Sequence, residues 1–232
     1  MRIWDLPAGY LNRQSLLGEH RELHGLYRIH TLGLRGYSQH PETVRWTRAL
    51  SGLVQRHRQL GAEMALRGYV DRSPLASRAR HRAWPATFID PPARQLQLLR
   101  EKYVSREPGR IPLPRTVHAI WAQHKYSVMA RDPRAYRAIG RRVARLRGNS
   151  GFDDLALELT LLLREEPAAG RLANAVEHMW GYVSRLASAD EREAAARGAA
   201  AMLQATQRLA MQHREPYLVS STALSELAVF AS

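Results

Sequence analysis

Two groups near the start of the chain have the types for covalent chemistry: the α-amine of Met1, and the carboxylate of Glu22, which stands in an Arg21-Glu22 pair. An α-amine has a reference pKa of about 7.7–8 against about 10.4 for lysine, so it is the better unassisted nucleophile near neutrality. A carboxylate at hand could move protons for it. Residue types alone do not assign these roles, because an Arg-Glu pair on an exposed helix face is ordinarily solvated surface.

The elements that must carry these groups read as helices. Residues 10–30 form one, with Leu16, His20, Leu23 and Tyr27 on a core-facing stripe and Arg21, Glu22 and Gly25 on or near the opposite face. A glycine-broken loop covers 32–40, and His40-Pro41-Glu42 starts a helical stretch to Arg67, with a break expected at Ser51-Gly52 and a cap at Gly68. Residues 71–92 read as a loop with a basic cluster of Arg78, Arg80, His81 and Arg82. A helix over about 93–104 precedes the proline-rich segment 106–115, the expected boundary between a domain of residues 1–113 and one of 114–232. Helices are expected beyond it over 117–130, 134–147, 152–165, 169–186 and 189–213, the last with a Ser188/Glu191 capping box, and a short segment at 217–230. No stretch alternates with period two. The expected class is all-α, with two helical domains.

Composition narrows the chemistry. The chain of 232 residues has no cysteine, which excludes disulfides, thiolate catalysis and cysteine-held metals. No apolar run nears the roughly 20 residues of a membrane span, and the start lacks a signal-peptide core, so a cytoplasmic protein is expected. Its 35 Lys and Arg against 21 Asp and Glu give a net charge of +14. Only Lys102 and Lys125 are lysines, so 33 of the 35 cations are arginine (35 − 2). Residues 1–113 hold 19 basic and 9 acidic residues, net +10, and residues 114–232 hold 16 and 12, net +4. The first half is therefore the expected seat of a polyanion contact.

The opening run MRIWDLPAGYLNRQSLLGEHRELH resembles the start of the pyrimidine-dimer DNA glycosylases of the bacteriophage endonuclease V type. In that family the chain's own α-amine is the nucleophile. The resemblance implies Met1 as nucleophile, retained because Arg2 follows it, and Glu22 as the catalytic acid/base. It also implies DNA contacts at Arg2, Gln14 and Arg21. Gly36-Tyr37-x-x-His40-Pro41 looks like a motif of the cellular members and adds Tyr37 and His40, Tyr37 as a ring able to stack on a flipped base. Ala62-Glu63-x-x-x-Arg67-Gly68-Tyr69 is similar to the close of the family's central helix, and Lys102 and Arg106 fall on basic positions of its DNA face. The similarity covers about residues 1–108. Two departures, Gly25 and Leu98 at positions of expected arginines, weaken the case for a cyclobutane-dimer substrate.

The second half, over about residues 116–230, resembles the YbgA-like domain of unsettled function, through Trp121–Val143, Asn174 and Glu177-His178-Met179-Trp180-Gly181-Tyr182. His124, Lys125, Tyr126 and His178 could converge there as a polar site, but two histidines without an acidic partner make a poor metal site. Arg141, Arg142, Arg145 and Arg147 could extend a nucleic-acid path. The expectation is a bacterial, nucleoid-associated DNA glycosylase with AP (β-elimination) lyase activity, acting on double-stranded DNA without metal or organic cofactor. The alternatives are a glycosylase for another modified base in DNA or RNA, as in phage defence, and a non-catalytic nucleic-acid-binding protein whose second domain recruits a partner.

Overall fold

A computed structural model describes residues 2–75, 83–148 and 150–231, and among them the chain forms twelve α-helices, three short 3-10 turns and no strand. Met1 and the basic cluster Arg78, Arg80, His81 and Arg82 lie outside the described residues.

A 3-10 turn at Ala8–Tyr10 leads into α1 (Arg13–Leu32), shorter at its start than the expected helix from residue 10. Asn12 sets that start, its side chain accepting the Ser15 N–H at 2.9 Å. Gly33, at φ +65°, ends the helix. Leu16, His20 and Leu23 are buried with Ser15, Glu19 and Leu26, and Tyr27 packs against the same core. Arg21 and Gly25 are exposed and Glu22 is half-buried.

The stretch expected to run from His40 to Arg67 is two helices, α2 (Pro41–Arg45) and α3 (Leu50–Leu66). The break falls at 46–49 rather than at Ser51-Gly52. Trp46 is fully buried and donates its indole N–H to Glu42 at 2.8 Å, and the chain turns to seat it. Gly52 instead lies inside α3 and donates its N–H to the Ala83 carbonyl at 3.1 Å. A Cβ at residue 52 would stand 2.3 Å from that oxygen, so the glycine permits a close approach.

Next come α4 (Pro92–Lys102), α5 (Val117–Met129), α6 (Pro133–Arg145) and α7 (Phe152–Leu162). The helix expected over 169–186 is α8 (Ala169–Trp180) followed by a single 3-10 turn at Ser184–Leu186. The one expected over 189–213 splits into α9 (Ala189–Ala195) and α10 (Ala199–Gln212) at Gly198, where φ is +148°. Both hydrogen bonds of the Ser188/Glu191 capping box form. The chain closes with α11 (Pro216–Val219), α12 (Ala223–Glu226) and a last 3-10 turn.

Two apolar clusters hold these helices. The first runs from Ile3 and Trp4 through Leu16, Leu53, Leu96 and Leu99 to Val128 and Leu159, and so draws on both halves of the chain. The second is built on Met129, Val176, Leu209 and Leu224. Each fully buried large aliphatic contributes about 1.5–3 kcal/mol against exposure. The segment 106–115 is free of helix, as read, but it is packed: Ile111 is wholly buried and its N–H donates to the Gly9 carbonyl at 2.9 Å.

Arginine is also an interior residue here. Arg131, 4% exposed, pairs with Glu226 at 2.8 Å and donates to the carbonyls of Ser127, Leu163 and Glu165. Part of the arginine excess therefore holds the fold together and is not available to a polyanion.

Candidate active site and nucleic-acid face

The segment Arg2–Leu6 is fastened along its length by buried charge. Trp4 N–H donates to Glu19 of α1 at 3.2 Å, and Glu19 takes two bonds from Arg56 of α3, at 2.7 and 2.9 Å. Arg56 also donates to the Leu6 carbonyl at 2.7 Å. Burial pushes the Glu19 carboxyl above its ordinary range, against the pull of Arg56 and of the Trp4 N–H. Asp5 accepts from Arg45 at 2.9 Å and from Arg164 at 2.9 Å, and exchanges two bonds with the Gln95 amide. Arg45 reaches on to the Ile3 carbonyl at 3.2 Å. Such clamping is unusual for a chain end, which frays unless it is tied down.

The predicted DNA-contact residues divide into two groups. Gln14, Arg21, Lys102 and Arg106 are exposed, and Arg106 donates to the Gln14 amide at 3.2 Å, joining the start of α1 to the loop after α4. Gln14 and Arg21 are seven residues apart and fall on one stripe of α1, which Arg28 continues. Arg2 is more constrained: its guanidinium pairs with Asp90 at 2.6 Å and lies 4.3 Å over the Trp4 ring, with 31% of the side chain exposed. Tyr37 is 75% exposed on a left-handed residue (φ +56°) in the α1–α2 loop. His40 is half-buried and its Nδ1 caps α2 by accepting the Glu42 N–H at 3.1 Å. At the two departures, Gly25 faces open space and Leu98 packs against the core.

A group that the sequence reading missed lies on another side of α1. His20, His24 and His57 bring their ring nitrogens within 4.8 Å of one another, and Asp71 lies beside them. Burial holds the His57 imidazole down to about 4 and also lowers that of His24. The sequence signal was His20-x-x-x-His24, a spacing that sets two side chains on one helix face. Reading His20 only as a core residue hid it.

In the second half, His124 stands apart from the other three polar residues. His124 is buried and turned inward, its Nδ1 2.8 Å from the Ile120 carbonyl and 3.5 Å from the Tyr10 hydroxyl. Burial pushes its imidazole down to about 4. Lys125 instead lies 4.8 Å over Tyr126 and 5.6 Å over Tyr217, and the Tyr126 hydroxyl donates to Tyr182 at 3.0 Å. His178 is exposed, on an open groove whose lining includes Tyr182 and Tyr217, the partners of Tyr126 and Lys125. Arg141, Arg142, Arg145 and Arg147 are all exposed, and Arg142 pairs with Glu158.

The fold and the clamped first segment define an all-helical protein with a buttressed N-terminal stretch beside a basic helix face. Comparison with protein families gives each half its relatives. Residues 1–77 match the family described as pyrimidine dimer DNA glycosylase, and residues 125–226 match a family described as protein of unknown function (DUF1722). The chain thus joins a segment similar to the pyrimidine dimer DNA glycosylases to one similar to the DUF1722 family. Neither the curated proteins nor the solved structures compared give a match.

Proposed function

We propose that the protein is a DNA glycosylase with an associated lyase activity, using the α-amine of Met1 as nucleophile and Glu22 as acid/base. The carrying observation is the clamp on residues 2–6 through Glu19, Arg56, Arg45, Gln95 and Arg164. From Leu6 the chain passes to Asn12 at the start of α1, while Trp4 bonds to Glu19 within the helix. The Glu19 that holds Trp4 stands one turn before Glu22 on α1, which supports a role for Glu22 beside the first residues.

The amine attacks the sugar C1′, and the C1′–N bond breaks with its electron pair leaving on the base, which takes up a proton. The nitrogen then gives up its proton and the C1′–O4′ bond opens, O4′ taking up a proton, and the resulting imine acidifies the C2′ proton. Glu22 removes that proton, and the C3′–O bond breaks with the phosphate as leaving group, so the strand is cut by β-elimination. Arg21, Gln14, Lys102 and Arg106 hold the backbone on the exposed face of α1. Residues 1–113 form the glycosylase domain in this reading, and residues 114–232 the second domain.

The scarcity of lysine makes the test clean. The protein is incubated with abasic-site duplex and borohydride, digested, and the cross-link located among Met1, Lys102 and Lys125. A cross-link at Met1 is expected; one at either lysine, or none, overturns the assignment. Glu22→Gln should abolish strand cleavage while binding persists. The uncharged Gly25 and the packed Leu98 favour a second reading of the substrate, a modified base other than the cyclobutane dimer. Activity across dimer-containing, modified-base and uracil-containing duplexes separates the two.

A further inference from the structure

We infer that His20, His24, His57 and Asp71 form a zinc site that staples α1 to α3 and to the segment that follows α3. His20 and His24 project from one face of α1, one turn apart, and His57 comes from α3. His57 Nε2 lies 3.1 Å from His24 Nε2 and 3.6 Å from Asp71 Oδ2, and His20 Nε2 lies 3.3 Å from Asp71 Oδ1. Zinc bonds nitrogen at about 2.0–2.1 Å and carboxylate oxygen at about 2.0–2.2 Å in a tetrahedron, whose edges are then about 3.3–3.5 Å. Three of the six separations, at 3.1, 3.3 and 3.6 Å, lie near those edges, and the three imidazoles all keep a ring nitrogen within 4.8 Å of the others.

His24 Nε2 also meets the Ser73 hydroxyl at 3.2 Å, whereas His20 has less to hold it. His20 is 9% exposed, and its Nε2 has no hydrogen-bond partner despite its nearness to Asp71. A polar nitrogen buried without a partner is costly, and a metal bond removes that cost. Asp71 is oriented from behind, its Oδ1 accepting the Ser73 N–H at 2.9 Å and lying 3.4 Å from the Ser73 hydroxyl. Support of that kind typically fixes a ligating carboxylate. Three imidazoles and one carboxylate suit zinc among the divalent ions, and four protein ligands leave no open position, as in a structural site. Glu22 lies between the two α1 ligands in sequence and close to the opposite side of the helix, so the metal would stiffen the turn that carries it. The inference rests on these four side chains and is independent of the glycosylase reading.

The test uses the full chain without a polyhistidine tag and reads metal, not catalysis. Metal analysis of the purified protein should give one zinc per chain. After chelation, added Zn2+ should bind at one site by calorimetry and raise the thermal midpoint, and Co2+ should give the visible bands of a tetrahedral ion. His24→Ala and Asp71→Asn alter half-buried positions and should keep the helical circular dichroism of the parent while losing the stoichiometric site and the Co2+ bands. His57→Gln should do the same where it folds. Absence of stoichiometric binding in the parent, or binding unchanged in the two half-buried variants, overturns the site.

Discussion

Replacing Arg56 by leucine tests whether the buried pair with Glu19 seats the N-terminal segment. Arg56 makes two bonds to Glu19 and one to the Leu6 carbonyl, with both side chains almost wholly enclosed. Arg56→Leu strands a buried carboxylate, which costs about 3–5 kcal/mol. The orphaned Leu6 carbonyl adds about 1 kcal/mol. For a chain of this size the thermal midpoint should fall by roughly 10–20 °C. Glu19 already titrates above its ordinary value of 4.5 because it is buried, and losing Arg56 raises it further. A raised carboxyl favours the protonated folded form, so its contribution is full below the unfolded value and is lost as pH rises through the folded one. The deficit of Arg56→Leu should accordingly shrink as pH is lowered from 7 toward 5. Glu19→Leu with Arg56→Leu removes both charges and should recover most of the loss, because an apolar pair of similar volume often replaces a buried ion pair without penalty. Urea unfolding followed by circular dichroism across that pH range, with the double-mutant cycle, measures each term. A loss under about 1 kcal/mol in Arg56→Leu, or a double variant no better than the single, would refute the clamp as the anchor of residues 2–6.

Two further outcomes follow from the charge distribution. Lys102→Ala and Arg106→Ala should each lower duplex affinity with little regard to sequence and reduce the slope of log K against log salt by about 1, read by fluorescence anisotropy across a salt series. Acid stability should depend on Glu63: burial opposes its ionisation, but Arg110 at 2.7 Å and Arg67 at 2.8 Å outweigh that and hold the carboxyl below its usual 4.5. Its contribution is present above that value and is lost as pH falls through the lower folded one, so Glu63→Gln should be less stable than the parent at pH 7 and show a shallower acid limb in urea midpoints below pH 4.5.

Local signals carried far and then stopped at the first long-range contact. Helix periodicity found the buried stripe of α1, and capping chemistry found His40-Pro41 and the Ser188/Glu191 box, because those interactions close within four residues. The break after α2 was placed too late, at Ser51-Gly52, because the burial of Trp46 in the core that accompanies it is tertiary packing. Gly52 illustrates the same limit, since its partner Ala83 is 31 residues away. Gln14 and Arg21, like Arg2, were named from the family resemblance, and that the first two share one exposed stripe follows from local helix geometry. What holds Arg2 was not legible, because its partners Asp90 and the Trp4 ring meet it only in the fold. Likewise one histidine pair was written in the sequence at i and i+4, but only the packing of α1 on α3 adds His57, and only the chain after α3 adds Asp71.

The two family segments meet in a way that bears on why they share a chain. Arg164, just past α7 in the second half, donates to Asp5 at 2.9 Å and to the Pro85 carbonyl at 3.0 Å, and its guanidinium lies 4.6 Å over Phe88. Trp84 returns its indole N–H to the Arg164 carbonyl at 3.2 Å. Arg110, from the segment between the halves, pairs with Glu63 and reaches the Val219 carbonyl at 2.6 Å. The apolar cluster that encloses Ile3 and Trp4 also takes in Val128 and Leu159. A boundary near residue 113 therefore marks where one resemblance ends and the next begins, whereas packing and charge run straight across it. Asp5, in the segment on which the proposed chemistry depends, is thus held in part by Arg164 of the segment that matches the DUF1722 family.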